Sequence, residues 1–323
     1  MADETSELPC QANLLDATAL LEVGEVLGGL RPVQHADGAV LFGQGSRPEG
    51  ALLILDGTAA LRTRWPGLGE LAIGTATAGD LIGEGALIGT APHTLTAVAM
   101  GPLSLLRIEP RHFAALCAIA SPWHRRIVHH LALRLAVRAR SAIRLAQPIL
   151  GIGSRERAGV AQAHSPGCSF DIRPFLPILP FFRGFAATEV DSFLSSAQIF
   201  ELSSGAWLFT PESPADSVHI VLRGALELRL PGLQLGRRLG VLGPGRLVDC
   251  VELMLGGPRR TECQPCERSV VLRISVAAFQ EALGRDDRTA FAALCATTHE
   301  LIDRLARGTR LMASTGIARI LGV

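Results

Sequence analysis

The chain contains an internal repeat, and a repeat of this length requires a fold built from two copies of one structural unit. Positions in the first half recur 167 residues later and, after one deleted residue, 166 residues later. The anchors before the deletion are Gly38 with Gly205, Leu41-Phe42 with Leu208-Phe209, and Gly57 with Gly224. The anchors after it are Gly79 with Gly245, Leu81 with Leu247, Leu87 with Leu253, Pro92 with Pro258, Leu106–Ile108 with Leu272–Ile274, and Phe113 with Phe279. A single deletion among so many matched positions indicates duplication.

The length of the chain agrees with two domains. At 323 residues, each copy has enough chain to bury its own core. Residues 147–174 are rich in Gly, Ser, Ala and Pro and show little apolar periodicity, which is typical of a linker. The predicted domains are therefore residues 1–146 and 175–323, joined by a linker at 147–174.

Each copy alternates short β-favouring runs with Gly, Pro and Asp, and then continues into a longer helix-like stretch. Short strands at this spacing predict a barrel or a sandwich, so the expected fold is mainly β with flanking helices. The helix-like stretches are 123–146 and 288–312, and each carries a stripe at steps of three and four residues. Two interpretations stay open, a helix that packs on its own domain and a seam for a homodimer or a protein partner.

Residues 79–99 carry the most specific motif, Gly-Asp-Leu-Ile-Gly-Glu-Gly-Ala-Leu-Ile-Gly-Thr-Ala-Pro-His-Thr-Leu-Thr-Ala-Val-Ala. This segment resembles the phosphate-binding cassette of cyclic-nucleotide-binding domains, found in catabolite-activator-type (Crp/Fnr-like) regulators and protein kinase regulatory subunits. In that family Gly-Glu-x-Ala-Leu precedes Pro-Arg-x-x-Thr. The resemblance implies two jelly-roll (double-stranded β-helix) domains in tandem, a cyclic AMP or cyclic GMP ligand, and a non-enzymatic sensor or regulatory role. The ligand contacts that it implies in the first copy are Gly83, Glu84, Gly85, Ala86, His93 and Thr94.

The chemistry of these residues can be argued directly. Gly83 lets the backbone approach an anion closely, and a helical turn that opens at Glu84 directs N–H groups toward a phosphate. Glu84 can accept a hydrogen bond from a ribose hydroxyl. The family's arginine is replaced by His93, which is mostly uncharged at pH 7 because its ordinary pKa is about 6.5. Loss of a charged hydrogen bond costs about 1.5–3 kcal/mol, which predicts weaker, pH-dependent binding.

The second copy departs from the pattern in the complementary way. Arg259 follows Pro258 and restores the arginine, which makes it the ligand candidate of this copy. Asp249 and Cys250 stand where the first copy has Gly83 and Glu84, so the ribose carboxylate is missing and a carboxylate faces the anion. We expect the second site not to bind a nucleotide. The alternative for both copies is a degenerate scaffold that binds partner proteins and no nucleotide.

Composition and charge narrow the class of protein. The formal net charge is +1, so no overall field attracts the chain to nucleic acid or to a membrane surface. No uninterrupted apolar run reaches the roughly 18 residues that span a bilayer, and the N-terminus is acidic, so we predict a cytoplasmic protein without a membrane segment. Residues 123–147 contain six arginines and no acid, which leaves two interpretations open, a solvated helix face and a surface for an anion or a partner.

Several other activities are not expected. The sequence lacks the Gly-x-Ser-x-Gly, His-Glu-x-x-His and Walker-type motifs, so we predict no catalytic residues. Cys263 and Cys266 have no second pair to complete a metal site, and in a strand they point to opposite faces. Relatives that act as transcription factors continue into a winged helix-turn-helix, and residues 316–323 resemble only the start of that module. Sequence-specific DNA binding is therefore not expected, with a regulator that has lost its DNA-binding domain as a further alternative.

Overall fold

The structure is a computed structural model that describes residues 17–65, 69–87, 92–146, 165–166, 173–183, 185–231, 238–285 and 287–315. The helices are α1 (Ala17–Val26), α2 (Pro110–Ala118), α3 (Pro122–Ala146), α4 (Ala187–Leu194), α5 (Cys250–Leu255), α6 (Val276–Gly284) and α7 (Arg288–Thr315). The strands are β1 (Val33–His35), β2 (Val40–Phe42), β3 (Ala51–Trp65), β4 (Gly69–Thr77), β5 (Leu81–Ile82), β6 (Thr96–Ile108), β7 (Ser165–Pro166), β8 (Ala197–Leu202), β9 (Ser217–Arg223), β10 (Leu226–Arg229), β11 (Arg238–Leu242), β12 (Glu262–Pro265) and β13 (Ser269–Ser275). Short 3-10 turns lie at Glu84–Leu87, Arg173–Ile178 and Pro180–Phe182.

The chain divides into two compact units. The first unit comprises the described residues up to Arg138 together with those from Ile302 onward, and the second comprises those from Ala139 to Leu301. The last turns of α7 therefore belong to the first unit, although the helix begins in the second. Most of the predicted linker at 147–174 lies outside the described residues.

The first unit is an antiparallel sheet in the order β1-β6-β3-β4, with β2 paired to β6 and β5 paired to β3. The sequence predicts a break between two short strands near Gly57, but β3 runs through this position, and its register with β6 shifts on either side of Asp56. Gly57 has a φ of 91°, and a Cβ there would lie 2.5 Å from the Pro102 carbonyl oxygen. Its repeat counterpart Gly224 has a φ of 81° and an equally close neighbour. At both anchors a left-handed backbone and a close neighbour therefore favour glycine.

The second unit contains two antiparallel sheets, in the orders β7-β8-β13-β9 and β11-β10-β12. A cluster of phenylalanine rings packs beside the first of these sheets. Neighbouring ring centroids in it lie 5.1–6.1 Å apart, and the members are Phe181, Phe182, Phe185, Phe193 and Phe279. Phe279 on α6 is fully buried, as is its repeat counterpart Phe113 on α2. The repeat therefore preserves the position at which the helix after the sheet enters the core.

The stripes of α3 and α7 are buried within the chain. The buried members are Val128, Leu131, Leu135 and Ala142 on α3, and Phe291, Leu294, Thr298, Leu301 and Leu305 on α7. A seam for a homodimer or a protein partner, the second interpretation that the sequence leaves open, stays a prediction. In the described part of the chain, no helix combines the length and apolar character needed to cross a membrane.

Candidate ligand-binding site

A cavity of about 220 Å³ in the first unit is bordered by every ligand contact predicted in the first copy. Those residues are Gly83, Glu84, Gly85, Ala86, His93 and Thr94. The cavity is completed by Phe42, Leu61, Ile82, Pro92, Leu95, Arg138, Asp303, Ala306 and Thr309. The structure thus brings the two halves of the cassette, residues 83–86 and 93–94, to one place.

Gly83 is the residue at which the cassette turns. Its φ is 67°, in the left-handed region that favours glycine. A Cβ at this position would lie 3.0 Å from Cε1 of His93 and 3.2 Å from the ring of Phe42. The imidazole is stacked on Phe42, with a centroid separation of 4.1 Å and an interplanar angle of 15°. The space above Gly83, where the resemblance places a phosphate, is therefore bordered by the imidazole.

Glu84 opens the 3-10 turn and is 6% exposed. Its carboxylate lies 3.6 Å from Nη1 of Arg138, and the same guanidinium donates a hydrogen bond to the carbonyl of Leu81. A buried carboxylate is retained only with such compensation. The carboxylate borders the cavity, where it can accept further hydrogen bonds.

His93 is fixed by its backbone and uncharged in its side chain. Its N–H donates to the Ser46 carbonyl at 3.0 Å, and its carbonyl accepts from Gly45 N–H at 2.8 Å. Burial lowers the pKa of the imidazole below its ordinary value of 6.5. At neutral pH the ring therefore offers one N–H donor and no positive charge.

Helix α3 is connected to the cassette by three basic side chains spaced four residues apart. Nε2 of His130 lies 3.1 Å from the Gly79 carbonyl oxygen, and Arg134 donates to Asp80 at 2.9 Å. Arg138 completes the series at Leu81 and Glu84. Residues four apart share one helix face, so consecutive turns of α3 contact consecutive residues of the cassette. These arginines, predicted as part of a basic surface, are instead partly buried and bonded within the first unit.

The last turns of α7 contribute a wall of the cavity that the sequence does not predict. Asp303, Ala306 and Thr309 line it, and a Cβ on Gly85 would contact the Ala306 side chain at 3.7 Å. Arg307 donates to Asp303 at 2.7 Å. The repeat places α7 after the second copy, and nothing in its sequence marks it as part of the first site, because this placement depends on tertiary packing.

The charges around the cavity determine which ligands it favours. Glu84 and Asp303 are acidic, Arg138 is basic and already paired with Glu84, and His93 is uncharged at neutral pH. A fully ionised phosphate therefore gains less here than beside an unpaired arginine. A hydroxyl donor finds a buried carboxylate, so hydroxyl groups are better matched to this cavity than a doubly charged anion is.

Arg259, the candidate of the second copy, lies in the second unit and borders a separate cavity of about 180 Å³. Its Nε donates to Asp249 at 3.1 Å, and its guanidinium carbon lies 4.6 Å from the ring centroid of Phe209. Phe209 is the repeat counterpart of Phe42, which stacks on His93 in the first copy. Both copies therefore place the side chain after the cassette proline on a phenylalanine ring.

The repeat also preserves the connection between helix and cassette, with its charges exchanged. Asp80 and Arg134 in the first unit correspond, at an offset of 166, to Arg246 and Glu300 in the second. Arg246 forms a two-contact ion pair with Glu300, at 2.5 and 2.9 Å. The offset alone identifies these four residues as matched pairs, so the signal for this contact is present in the sequence.

The cysteines are dispersed. Cys263 on β12 is buried and Cys266, just beyond the strand, is exposed. Among the described residues, His, Cys, Asp and Glu form no group of three or more that could hold a metal ion.

Comparison with known proteins identifies the repeated unit. The family described as cyclic nucleotide-binding domain matches residues 32–119 and 199–286, together more than half of the chain. This match confirms the predicted tandem duplication and its β-rich fold with flanking helices.

Three solved structures illustrate what this chain is similar to. The regulatory domain of Toxoplasma gondii PKA with cAMP is 16% identical, with 84% of this chain and 87% of that chain covered and a TM-score of 0.33. The regulatory subunit of a cAMP-independent protein kinase A from Trypanosoma brucei is 15% identical, with coverages of 84% and 82% and a TM-score of 0.32. The N-terminal domain of a transcriptional regulator from Streptomyces coelicolor A3(2) is 26% identical, with coverages of 41% and 93% and a TM-score of 0.33.

Proposed function

This chain belongs to the cyclic nucleotide-binding domain family, and we propose that it is a non-enzymatic regulatory protein whose first unit binds a cyclic nucleotide and transmits binding to a protein partner. The observation that carries the proposal is the pairing of Glu84, the predicted ribose contact, with Arg138 of α3. A ligand that engages this carboxylate acts directly on a residue of the helix.

The transmission follows because the ligand and helix α3 share one carboxylate. A ribose hydroxyl that donates to Glu84 adds a second partner to the carboxylate that lies 3.6 Å from Arg138, and this changes the strength of the ion pair. Arg138 belongs to the same helix face as His130 and Arg134, so a shift at its turn is passed along the contacts of α3 with the cassette. A ligand changes this equilibrium only by as much as it binds the two arrangements differently. The buried pair provides that difference.

The end of α7 is the second element that reports occupancy. Ala306 lies against the turn at Gly85, and Asp303 and Thr309 border the same cavity. A nucleotide whose ribose reaches Glu84 therefore lies beside these side chains. We propose that partner recognition depends on α3 and α7 together, because both line the cavity.

Replacing Glu84 with glutamine is expected to weaken binding of cyclic AMP or cyclic GMP about tenfold. A glutamine keeps the shape of the side chain but exchanges a charged acceptor for a neutral one, at a cost of roughly 1.5 kcal/mol. Isothermal titration calorimetry measures the change. Glu25→Gln is the matched control, because it removes the same charge from an exposed position of the same unit. Equal affinities for the two variants would refute the role of Glu84.

Binding of a cyclic nucleotide is also expected to tighten severalfold, by less than about tenfold, between pH 8 and pH 6. The free imidazole of His93 is uncharged because burial lowers its pKa. A phosphate beside it raises that pKa, so binding takes up a proton and is favoured as the pH falls. Titrations at both pH values in two buffers of different ionisation enthalpy also report the proton uptake itself. Affinity that is independent of pH would place the phosphate away from His93.

A second function, a scaffold that holds partner proteins and binds no nucleotide, is favoured by one observation. The imidazole of His93 already borders the space above Gly83. The calorimetric titration of the wild-type protein separates the two functions. Saturable binding of one nucleotide supports the sensor, whereas no heat with cyclic AMP or cyclic GMP at either pH would overturn it in favour of the scaffold.

A further inference from the structure

The second unit contains a buried polar cluster that the proposed function of the first unit does not use. Asp249, Arg259 and His219 form it, with exposed fractions of 3%, 4% and 3%. Three polar side chains buried this deeply in one place are retained only when their groups are satisfied. The hydrogen-bond partners of these three side chains therefore show which charged group the cluster is arranged to bind.

Both oxygens of the Asp249 carboxylate accept hydrogen bonds. Oδ1 accepts from Nε of Arg259 at 3.1 Å, and Oδ2 lies 3.0 Å from Nδ1 of His219. Burial lowers the pKa of His219, so the neutral ring donates its Nδ1–H to this carboxylate. The two donors approach the carboxylate as they would approach two oxygens of a bound anion.

The remaining arms of the Arg259 guanidinium are also engaged. Nη2 donates to the Ser217 carbonyl at 2.7 Å, and Nη1 donates to the Pro214 carbonyl. The ring of Phe209 lies 4.6 Å from the guanidinium carbon. Backbone carbonyls and the Phe209 ring therefore hold the guanidinium in place, and its Nε–H is directed to Asp249.

The repeat identifies the position that Asp249 fills. Asp249 corresponds to Gly83, and Arg259 corresponds to His93, both at an offset of 166. The φ angle is nearly the same at the two positions, 64° at Asp249 and 67° at Gly83. A left-handed aspartate is uncommon, yet the position keeps the conformation of its glycine counterpart. The side chain of Asp249 thus enters the space that lies above Gly83 in the first cassette.

We propose that Asp249 is an internal anion. Its carboxylate occupies the position beside Arg259 where a phosphate oxygen would bind, so that Arg259 has an anionic partner in the second unit without a nucleotide. Carboxylate and phosphate oxygens present the same acceptors to a guanidinium. Removal of the side chain leaves a buried cation with a vacant position beside it. A tetrahedral oxyanion of the phosphate class then takes that position.

Asp249→Gly is the variant that tests this assignment, with inorganic phosphate as the probe. Glycine suits a φ of 64°, so the substitution adds no backbone strain. In the full chain, we expect the melting temperature of Asp249→Gly to rise with phosphate, by roughly 4 °C per tenfold increase above the dissociation constant. Chloride at matched ionic strength should have no such effect.

Two further variants separate this site from general salt effects and from the first unit. Asp249→Asn fills the position with a neutral amide, so it should respond to phosphate no more than the wild type does. The double variant Asp249→Gly/Arg259→Gln should not show the phosphate-dependent rise in melting temperature that is expected of Asp249→Gly. A variant that folds only in phosphate also supports the proposal. Three results would overturn the proposal. The melting temperature of Asp249→Gly could rise with phosphate no more than that of Asp249→Asn, or the variant could remain unfolded in phosphate. The third is a wild-type melting temperature that rises with phosphate as much as that of Asp249→Gly.

Discussion

Replacing His93 with arginine is expected to tighten cyclic-nucleotide binding by roughly ten- to a hundredfold. The substitution adds a permanent charge beside the phosphate position, and a charged hydrogen bond contributes about 1.5–3 kcal/mol. The second unit indicates that an arginine fits. Arg259, the counterpart of His93, lies over Phe209 at 4.6 Å, and Phe42 offers the first unit the same ring.

Calorimetry at pH 8 is the decisive measurement, because the wild-type imidazole is uncharged there and the contrast is greatest. His93→Gln is the matched control, since it keeps a neutral donor. It should bind no more tightly than the wild type and should lose the dependence on pH. If His93→Arg and His93→Gln bind with the same affinity, the phosphate does not contact position 93, and the cassette assignment is wrong for the first unit.

Much of the fold follows from the sequence because the repeat supplies two independent readings of one structure. Gly57 and Gly224 are both required by a close approach of another chain segment, and Phe113 and Phe279 both enter a core. At the two glycines a side chain would meet a close neighbour, and at the two phenylalanines a large apolar side chain fills the core. The single strand β3 was harder to predict, since Gly57 is typical of a turn between strands and here lies within an irregular but continuous one.

The site is predicted less completely, and for a physical reason. The cassette residues are local in sequence, so their resemblance to a family places them together. Asp303 and Thr309 reach the same cavity from a helix that begins in the other unit, and a helical stripe does not say which surface covers it. Long-range packing decides that question.

The ion pair between helix and cassette, whose charges are exchanged between the two copies, is a long-range contact that the sequence still indicates. Asp80 with Arg134 and Arg246 with Glu300 are aligned by the repeat, so their complementary exchange is visible in the sequence. Each residue of the pair has the opposite charge in the other copy. This indicates that the two positions are in contact, because a change of sign at only one of them would bring like charges together. The same reasoning applies to Asp249 and Arg259, which replace Gly83 and His93 together. In both cases paired departures between the copies carry the structural signal.

Acid is expected to lower the stability of the protein by a large amount through His130. The free energy of unfolding should fall by about 3 kcal/mol between pH 7 and pH 4 through His130 alone. Burial lowers the pKa of His130 to about 4, although the Gly79 carbonyl opposes the shift. The unfolded chain, with an ordinary histidine pKa of about 6.5, therefore binds the proton first. The contribution of His130 is fully present above pH 6.5 and is lost as the pH falls toward 4.

Urea unfolding at pH 7 and pH 4, followed by intrinsic tryptophan fluorescence, measures this change. In His130→Gln the carboxamide can still donate to the Gly79 carbonyl but does not titrate, so the loss of stability at low pH should shrink by most of that amount. His124→Gln is the control on the same helix, because His124 is less deeply buried and its contribution is smaller. Burial also lowers the pKa of His219 in the second unit, so a residual loss with the same sign should persist in His130→Gln.

The position of His130 links this stability effect to the proposed signal. Protonation places a charge in a buried site beside Arg134, one turn of α3 away, so desolvation and repulsion from Arg134 act against the packing of His130 on the cassette, although the Gly79 carbonyl favours the charged ring. Acid should therefore loosen α3 from the cassette before the first unit unfolds. After correction for the intrinsic pH dependence of exchange, the α3 amides should be less protected at pH 5 than at pH 7 in the wild type but equally protected at both pH values in His130→Gln. Equal exchange in the two proteins would separate His130 from the helix contact and leave it a role in the core alone.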